Sequence, residues 1–286
     1  MDLLQKTQKI CKENNIQPAR SKGQNFLIDE NVYDRIVEAA EIDNDDTILE
    51  VGPGLGFLTE KLAEKAGEVV AVELDDKLAG LLREKFGQSG NVAVVNEDIL
   101  NVECRIANCE SFINIRHSKF DIRNYKIVAN LPYNITSIFI RKFLESENKP
   151  KTMTLMLQKE VAERICAKPG EMSLLAVSVQ FYAEPKILFN VPRQAFWPVP
   201  AVDSAVLGMS SVECRVSNEI DRKDFFRLVK IGFSARRKML KNNLASGYHI
   251  SQDQALEWIR NAGFDEKVRA QELGVSDWQA LYEKYL

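Results

Sequence analysis

The sequence predicts an α/β protein: a parallel sheet with helices on both faces, followed by a small all-helical part at the C-terminal end. Three observations carry that expectation. Short runs of continuous apolar residues recur along the first two thirds of the chain, the pattern of strands buried on both faces. Stretches with helical apolar spacing separate them, the alternation that builds parallel sheets. Past Ser211 only helical periodicity remains. A length of 286 residues favours two domains, and 45% hydrophobic with 28% charged residues is an ordinary globular mix. The boundary is placed near 211–218, giving domains over 1–212 and 213–286.

The first strand is Thr47-Ile48-Leu49-Glu50-Val51, stopped by Gly52-Pro53-Gly54-Leu55-Gly56. A helix over 57–66 follows, with Leu58, Leu62 and Ala66 on one face. Strands are then expected at 69–72, 92–95, 126–129 and 153–157, with helices over 76–86, 137–144 and 159–166 among them. The stretch 104–124 mixes cysteines, charges and isolated apolar residues and reads as a helix plus a surface loop. Residues 173–183 lean to helix by length, and 186–190 with 202–209 form a terminal strand pair. The link from Gln194 to Pro200 is expected to be irregular, because Pro198 and Pro200 lack backbone donors. Three helices close the chain, over 224–245, 251–262 and 276–285. Ser251 and Ser276 serve as their N-caps and Gly263 as a stop.

Composition removes several classes. No apolar run approaches the ~20 residues of a membrane span, and the polar N-terminus lacks a secretory signal core, so a cytoplasmic protein with no membrane partner is expected. Five cysteines without a C-x-x-C pair argue against disulfides or structural zinc, and two histidines argue against His-rich metal chemistry. No metal is expected. The net charge of −3 hides basic stretches: residues 1–25 carry five cations against two acids, and 227–241 carry six cations and no acid. Such runs are either solvated helix faces or patches for a polyanion.

The glycine turn is the first chemical signal. Glycines between a strand and a helix permit a tight turn and close ligand approach. Glu73 follows 21 residues after Gly52, at the end of the next strand, where an acid can accept both ribose hydroxyls. A dinucleotide site prefers G-x-G-x-x-G; here the third glycine comes one position early. Asp98 ends the third strand, placed to accept from an adenine amino group. This points to an adenosine ligand without phosphates. S-adenosylmethionine fits, because its cationic sulfonium tolerates Glu50, Glu73 and Asp98.

Asn130-Leu131-Pro132-Tyr133, directly after the fourth strand, is the second signal. It holds what is needed to methylate an exocyclic amine on a base. The amine lone pair is delocalised into the ring. The Asn130 side-chain carbonyl and a nearby backbone carbonyl can accept its two N–H bonds and favour pyramidalisation, while Pro132 stiffens the turn. Preorganised acceptors stabilise the positive charge growing on nitrogen. Tyr133 can stack on the base, which must be unpaired or flipped out. The bland reading is a proline turn with an Asn cap and a core tyrosine.

Five segments in this order resemble the ribosomal RNA adenine N6,N6-dimethyltransferases of the KsgA type. They are Gly23-Gln24-Asn25-Phe26-Leu27, Glu50-Val51-Gly52-Pro53-Gly54, Asn130-Leu131-Pro132-Tyr133-Asn134, Phe196-Trp197-Pro198-Val199-Pro200-Ala201-Val202-Asp203-Ser204 and Phe233-Ser234-Ala235-Arg236-Arg237-Lys238. The resemblance implies a class I, Rossmann-like methyltransferase domain with a seven-stranded, mostly parallel sheet and a small helical domain that binds and orients RNA. It implies two methyl transfers from S-adenosylmethionine to each of two adjacent adenines in a hairpin loop near the 3′ end of small-subunit (16S) rRNA, within an immature 30S particle. By position it places cofactor contacts on Asn25, Leu27, Gly52, Glu73, Asp98 and Asn130. It makes Tyr133 and Phe196 the pair that sandwiches the adenine, within a catalytic set of Asn130, Leu131, Pro132, Tyr133 and Phe196. Arg236, Arg237 and Lys238 become RNA-backbone contacts, and a monomer is expected. Two departures stand out: the loop 168–173 is shorter than is usual, and 104–124 matches nothing in the family pattern.

Three rivals stay open: a large-subunit rRNA methyltransferase of the macrolide-resistance type, a ribosome assembly factor with little turnover, and a dinucleotide dehydrogenase. Glycine spacing and the lack of a proton-relay histidine count against the last.

Overall fold

The apolar runs assemble into one seven-stranded sheet in the computed structural model, which describes residues 1–18, 24–101, 112–115, 118–121, 124–211 and 220–284. In chain order the strands are β1 (Phe26–Leu27), β2 (Thr47–Val51), β3 (Glu68–Glu73), β4 (Val92–Asn96), β5 (Phe112–Ile115), β6 (Ser118–Asp121), β7 (Tyr125–Asn130), β8 (Thr152–Gln158), β9 (Ala183–Val191), β10 (Phe196–Trp197) and β11 (Ser204–Ser211). The sheet order is β4-β3-β2-β7-β8-β11-β9. Strands β4, β3, β2, β7 and β8 run parallel, and β11 lies antiparallel to β8. All of β2 is buried, and Ile48, Leu49, Val69, Val70, Ile127 and Val128 have no solvent exposure. Helices over both faces demand such uninterrupted apolar strands.

β2 lies inside the sheet, with β3 on one side and β7 on the other. The chain thus moves away from β2 in opposite directions, which opens a crevice at the carboxyl ends of these strands. Register aligns the exits: Val51 faces Val72 and Ala129, and Glu73 faces Asn96. Gly52, Glu73 and Asn130 therefore leave the sheet along one edge.

The helix Asp76–Phe86 matches its expected span and is capped by Asp75, which accepts from the N–H groups of Lys77 and Leu78. The helix after the glycine turn, Phe57–Ala63, ends earlier than expected, because the chain must re-enter the sheet at Glu68. Two helices lie outside the expected elements. Leu3–Glu13 buries little beyond Thr7 and Cys11, whereas Glu30–Ala39 turns Val32, Tyr33, Ile36 and Val37 inward.

Several expectations are corrected. The proline-rich link is ordered in part: Phe196 and Trp197 pair with Leu27 and Phe26, a ladder that ends before the prolines. Within 104–124, β5 and β6 form an antiparallel pair where a loop was expected, and the expected helix there lies outside the described residues. Gly23, Arg20, Lys22 and 212–219, which hold the expected boundary, also lie outside them. The single helix over 224–245 is two, Arg222–Gly232 and Leu240–Tyr248. The buried Asn243 amide donates to Gly232 O (2.5 Å) and Ala235 O (3.2 Å), satisfying carbonyls that a continued helix would have bonded. The last helix, Val275–Glu283, starts at Gly274, whose N–H donates to Asp277 at 2.9 Å, so Ser276 lies inside it. Ser251 caps Gln252–Asn261 through a full capping box, and Gly263 has a φ of +84°.

The chain divides into two compact units, Met1–Ala162 with Lys186–Ser211, and Glu163–Pro185 with Val212–Leu286. Residues 163–185, assigned by sequence to the first domain, group with the second unit. Phe181 there packs on Phe225 and Phe226 with ring centroids 4.8 Å and 5.0 Å apart. Among the described residues no helix is long and apolar enough to cross a membrane.

Candidate active site

The turn after β2 needs its glycines for two separate reasons. Gly52, Gly54 and Gly56 have φ of +67°, +60° and +75°, a region costing other residues about 1–2 kcal/mol. Space is the second reason. A Cβ on Gly52 would meet Asn130 O at 3.7 Å and Pro132 Cδ at 3.8 Å, ordinary contact distances, so there the backbone conformation alone calls for glycine. A Cβ on Gly56 would sit 2.7 Å from Leu82 Cδ2 and 2.9 Å from Phe86 Cε2, so the third glycine admits the helix Asp76–Phe86. Lys85 of that helix donates to Leu55 O (3.2 Å) and Gly56 O (3.3 Å) and pairs with Glu60 at 3.0 Å. The turn is thereby pinned from outside.

Carboxylates line its inner side. Glu73 is buried and accepts from the N–H groups of Gly54 (3.1 Å) and Asp75 (2.9 Å). The Leu74 N–H is a third backbone donor to this carboxylate. Burial raises its pKa, and the N–H groups of Asp75 and Gly54 oppose that rise. Glu50 is 1% exposed and its Oε2 has no hydrogen-bond partner among the described residues. Burial pushes Glu50 up to about 8; Thr59 and Lys85 pull it down, and Glu73 pushes it further up. Asp98 Oδ1 accepts from the Leu100 N–H at 2.9 Å.

Opposite lies the turn after β7. The Leu131 N–H donates to Met156 O of β8 at 3.1 Å, and Pro132 O accepts from the Ile135 N–H at 3.2 Å. Tyr133 Oη lies 2.9 Å from Ser204 Oγ. Phe196, 2% exposed, is held by its pairing with Leu27. Tyr33, on the helix Glu30–Ala39, donates from its hydroxyl to Leu27 O at 3.0 Å.

A cavity of about 320 Å³ brings these groups together. Asn25, Leu27, Gly52, Glu73, Asp98, Asn130, Leu131, Pro132, Tyr133 and Phe196, all named from sequence, line it. Arg236, Arg237 and Lys238 do not; they are exposed in the second unit, on the turn that Asn243 holds. Sequence reasoning missed Tyr33, Phe26, Leu74 and Ile99 as lining residues. Tyr33 shares a helix face with Val32, Ile36 and Val37 and is indistinguishable there from core. Leu74 did carry a signal: an apolar residue directly after Glu73, 67% exposed at a cavity wall.

The cavity thus sets the buried carboxyls of Glu50 and Glu73 beside the Asn130–Tyr133 turn. Comparison with known proteins agrees. The family model described as ribosomal RNA adenine dimethylase matches residues 16–285. A ribosomal RNA small subunit methyltransferase A of Dehalococcoides mccartyi (strain CBDB1) is 43% identical over 94% of this chain and 89% of its own length. A dimethyladenosine transferase structure from Plasmodium falciparum superposes with a TM-score of 0.71 at 26% identity, over 90% of this chain and 98% of that one. The 23S rRNA methyltransferase ErmE does so with a TM-score of 0.69 at 27% identity, over 91% and 99%. The match runs through the glycine turn, the Asn130 turn and the helical C-terminal segment alike, and the chain belongs to the ribosomal RNA adenine dimethylase family.

Proposed function

We propose that this protein transfers methyl groups from S-adenosylmethionine to the N6 atoms of two adjacent adenines in a hairpin loop near the 3′ end of small-subunit rRNA. The single observation that carries this reading is the shared cavity, in which Gly52 and the Asn130–Pro132 turn stand in near contact. The products are N6,N6-dimethyladenosines, made on immature 30S particles in the cytoplasm by a monomer. Relatives named for the small subunit, at 36–43% identity, favour this target over the large subunit named for ErmE at 27%.

The residues fit the donor. The orphaned Glu50 Oε2 suits a cationic ligand, and Gly52 leaves the space a Cβ would fill. In this reading Glu73 takes the ribose hydroxyls and Asp98 the adenine amine, with Asn25 and Leu27 as further contacts; all four line the cavity. When bound, S-adenosylmethionine supplies an electrophilic methyl group. The chain's own work is on the amine. Asn130 Oδ1 accepts one N–H. The Leu131 carbonyl accepts the other, since the Pro132 carbonyl already accepts from both the Ile135 N–H and the Thr136 hydroxyl. Accepting both hydrogens aims the nitrogen lone pair and offsets the positive charge that grows there. Tyr133 and Phe196 hold the extruded base between their rings, and Arg236, Arg237 and Lys238 grip phosphates without reading sequence.

The test is methyl incorporation into undermethylated small subunits, with large subunits as control and the modified adenines mapped. Label in adjacent small-subunit adenines is expected. Label confined to large subunits, or binding of NAD in place of S-adenosylmethionine, overturns the reading.

A pH prediction follows from Glu50. A cation selects its ionised form, so donor binding is expected to release a proton and to tighten as pH rises toward about 8. Without donor, the folded state holds that proton more tightly than the unfolded state does. The Glu50 contribution to stability is therefore full below the ordinary value of 4.5 and lost as pH rises through about 8. Calorimetry in buffers of different ionisation enthalpy reads the proton release, and Glu50→Gln is expected to erase it along with the stability slope. Equal proton release by that variant would refute the assignment.

A further inference from the structure

Two rings that clamp one base must stand a fixed distance apart, yet Tyr133 and Phe196 belong to different segments of the chain. We propose that Ser204 is the positioning residue that sets this gap, by holding the tip of the Tyr133 ring through a hydroxyl–hydroxyl hydrogen bond. The inference rests on the stacking roles given above to Tyr133 and Phe196.

Ser204 has no solvent exposure, and its Oγ lies 2.9 Å from Tyr133 Oη. It opens β11, where its pairing with Gln158 of β8 fixes the backbone. The root of the Tyr133 turn is tied to the same strand, through the Leu131 N–H and Met156 O at 3.1 Å. Root and tip are thus referenced to one rigid element, β8. A tyrosine that only packed would not need a buried serine at its phenol. A buried hydroxyl is retained where it has a partner, and here the two hydroxyls satisfy each other.

The chain from Phe196 to Ser204 completes the frame. The Arg193 N–H donates to Asp203 Oδ1 at 3.0 Å, and its guanidinium donates to Ala201 O at 3.3 Å. The Lys159 N–H donates to Asp203 O at 3.0 Å. The segment bearing Phe196 is therefore closed on itself immediately before Ser204. The bond from Ser204 to Tyr133 joins the holder of one ring to the other ring. Stacking depends on ring separation, so loosening the tip weakens the grip on the base without touching the donor half of the cavity.

Ser204→Ala and Tyr133→Phe delete this one bond from opposite ends, and the second keeps the ring. Each is expected to lower kcat/KM for small-subunit RNA about tenfold, the worth of one hydrogen bond. The double variant is expected to be no worse than the poorer single one, because both remove the same interaction. S-adenosylmethionine affinity, read by titration, is expected to stay within about twofold. A hairpin RNA carrying 2-aminopurine at the target position gives a readout apart from turnover: its quenching on stacking is expected to weaken in both variants. Additive losses in the double variant, or unchanged quenching and kinetics in both singles, overturn the proposal. If Ser204→Ala fails to fold, Tyr133→Phe decides alone by the same quenching. Tyr133→Ala and Phe196→Ala separate the two levels: if they too leave quenching intact, the stacking roles fail, and if they abolish it while the hydroxyl variants do nothing, only the Ser204 inference fails.

Discussion

Asn130→Ala is expected to lower methyl transfer by about 10²–10³-fold, the loss typical of removing one preorganised polar group that acts on developing charge. Water also accepts from an exocyclic amine but must reorient as charge develops, whereas the amide oxygen proposed here is fixed before the reaction begins. β7 ends at Asn130 and the next residue is bonded to β8, so the backbone around it has little freedom. Alanine leaves that backbone as it is and removes only the acceptor. S-adenosylmethionine binding is expected to survive at least in part, because Glu73, Glu50 and Gly52 are untouched. Asn130→Asp retains an oxygen at the same place and is expected to keep more activity than Ala. Single-turnover methylation of undermethylated small subunits beside donor titration separates the two effects. Unchanged turnover in Asn130→Ala would contradict the role given to this residue.

Gly56→Ala is expected to cost about 2–5 kcal/mol of stability, the sum of left-handed backbone strain and core overpacking. The new methyl would meet Leu82 Cδ2 at 2.7 Å and Phe86 Cε2 at 2.9 Å. Both side chains are buried, Leu82 completely, in a cluster with Ala79 and Val94, so neither can swing away. The same substitution at Gly80, on the same helix, should act in the opposite sense. Nothing lies within 4 Å of a Cβ there, and Ala is the better helix former by up to about 1 kcal/mol. Denaturant unfolding of the two variants side by side checks both signs. A Gly56→Ala protein as stable as its parent would mean that the turn can relax away from the helix. Donor affinity is expected to fall with stability in Gly56→Ala alone, since the strained turn is also a wall of the cavity.

How far the molecule was legible depended on how local each signal was. The strand 47–51, its glycines and Glu73 announce themselves within 30 residues, because a tight turn, a close approach and a strand-end acid each demand a residue type. The Asn130 turn was legible for the same reason. Phe196 was reached only through the family resemblance: its place beside the cavity depends on pairing with Leu27, 169 positions earlier, and no periodicity reports a two-residue ladder. The break after Gly232 was hidden because its cause is the Asn243 amide, eleven residues on, supplying a carbonyl partner from the side chain. Residues 163–185 read as a continuation of the alternating pattern, while rings at Phe181 and Phe225, far apart in sequence, bind them to the other unit. Tyr33 is polar only at its tip, and that tip bonds to a main-chain oxygen that sequence does not display.

The ladder between β1 and β10 has one more consequence. Leu27, proposed to touch the methyl donor, and Phe196, proposed to touch the adenine, are direct cross-strand neighbours. The Ile28 N–H and Ala195 O extend the pairing by one rung at 2.8 Å. An adjustment that one guest imposed on this ribbon would reach the residue proposed for the other, and linkage would make the exchange symmetric. If RNA sharpens retention of the donor by some factor, the donor must sharpen retention of RNA by that same factor.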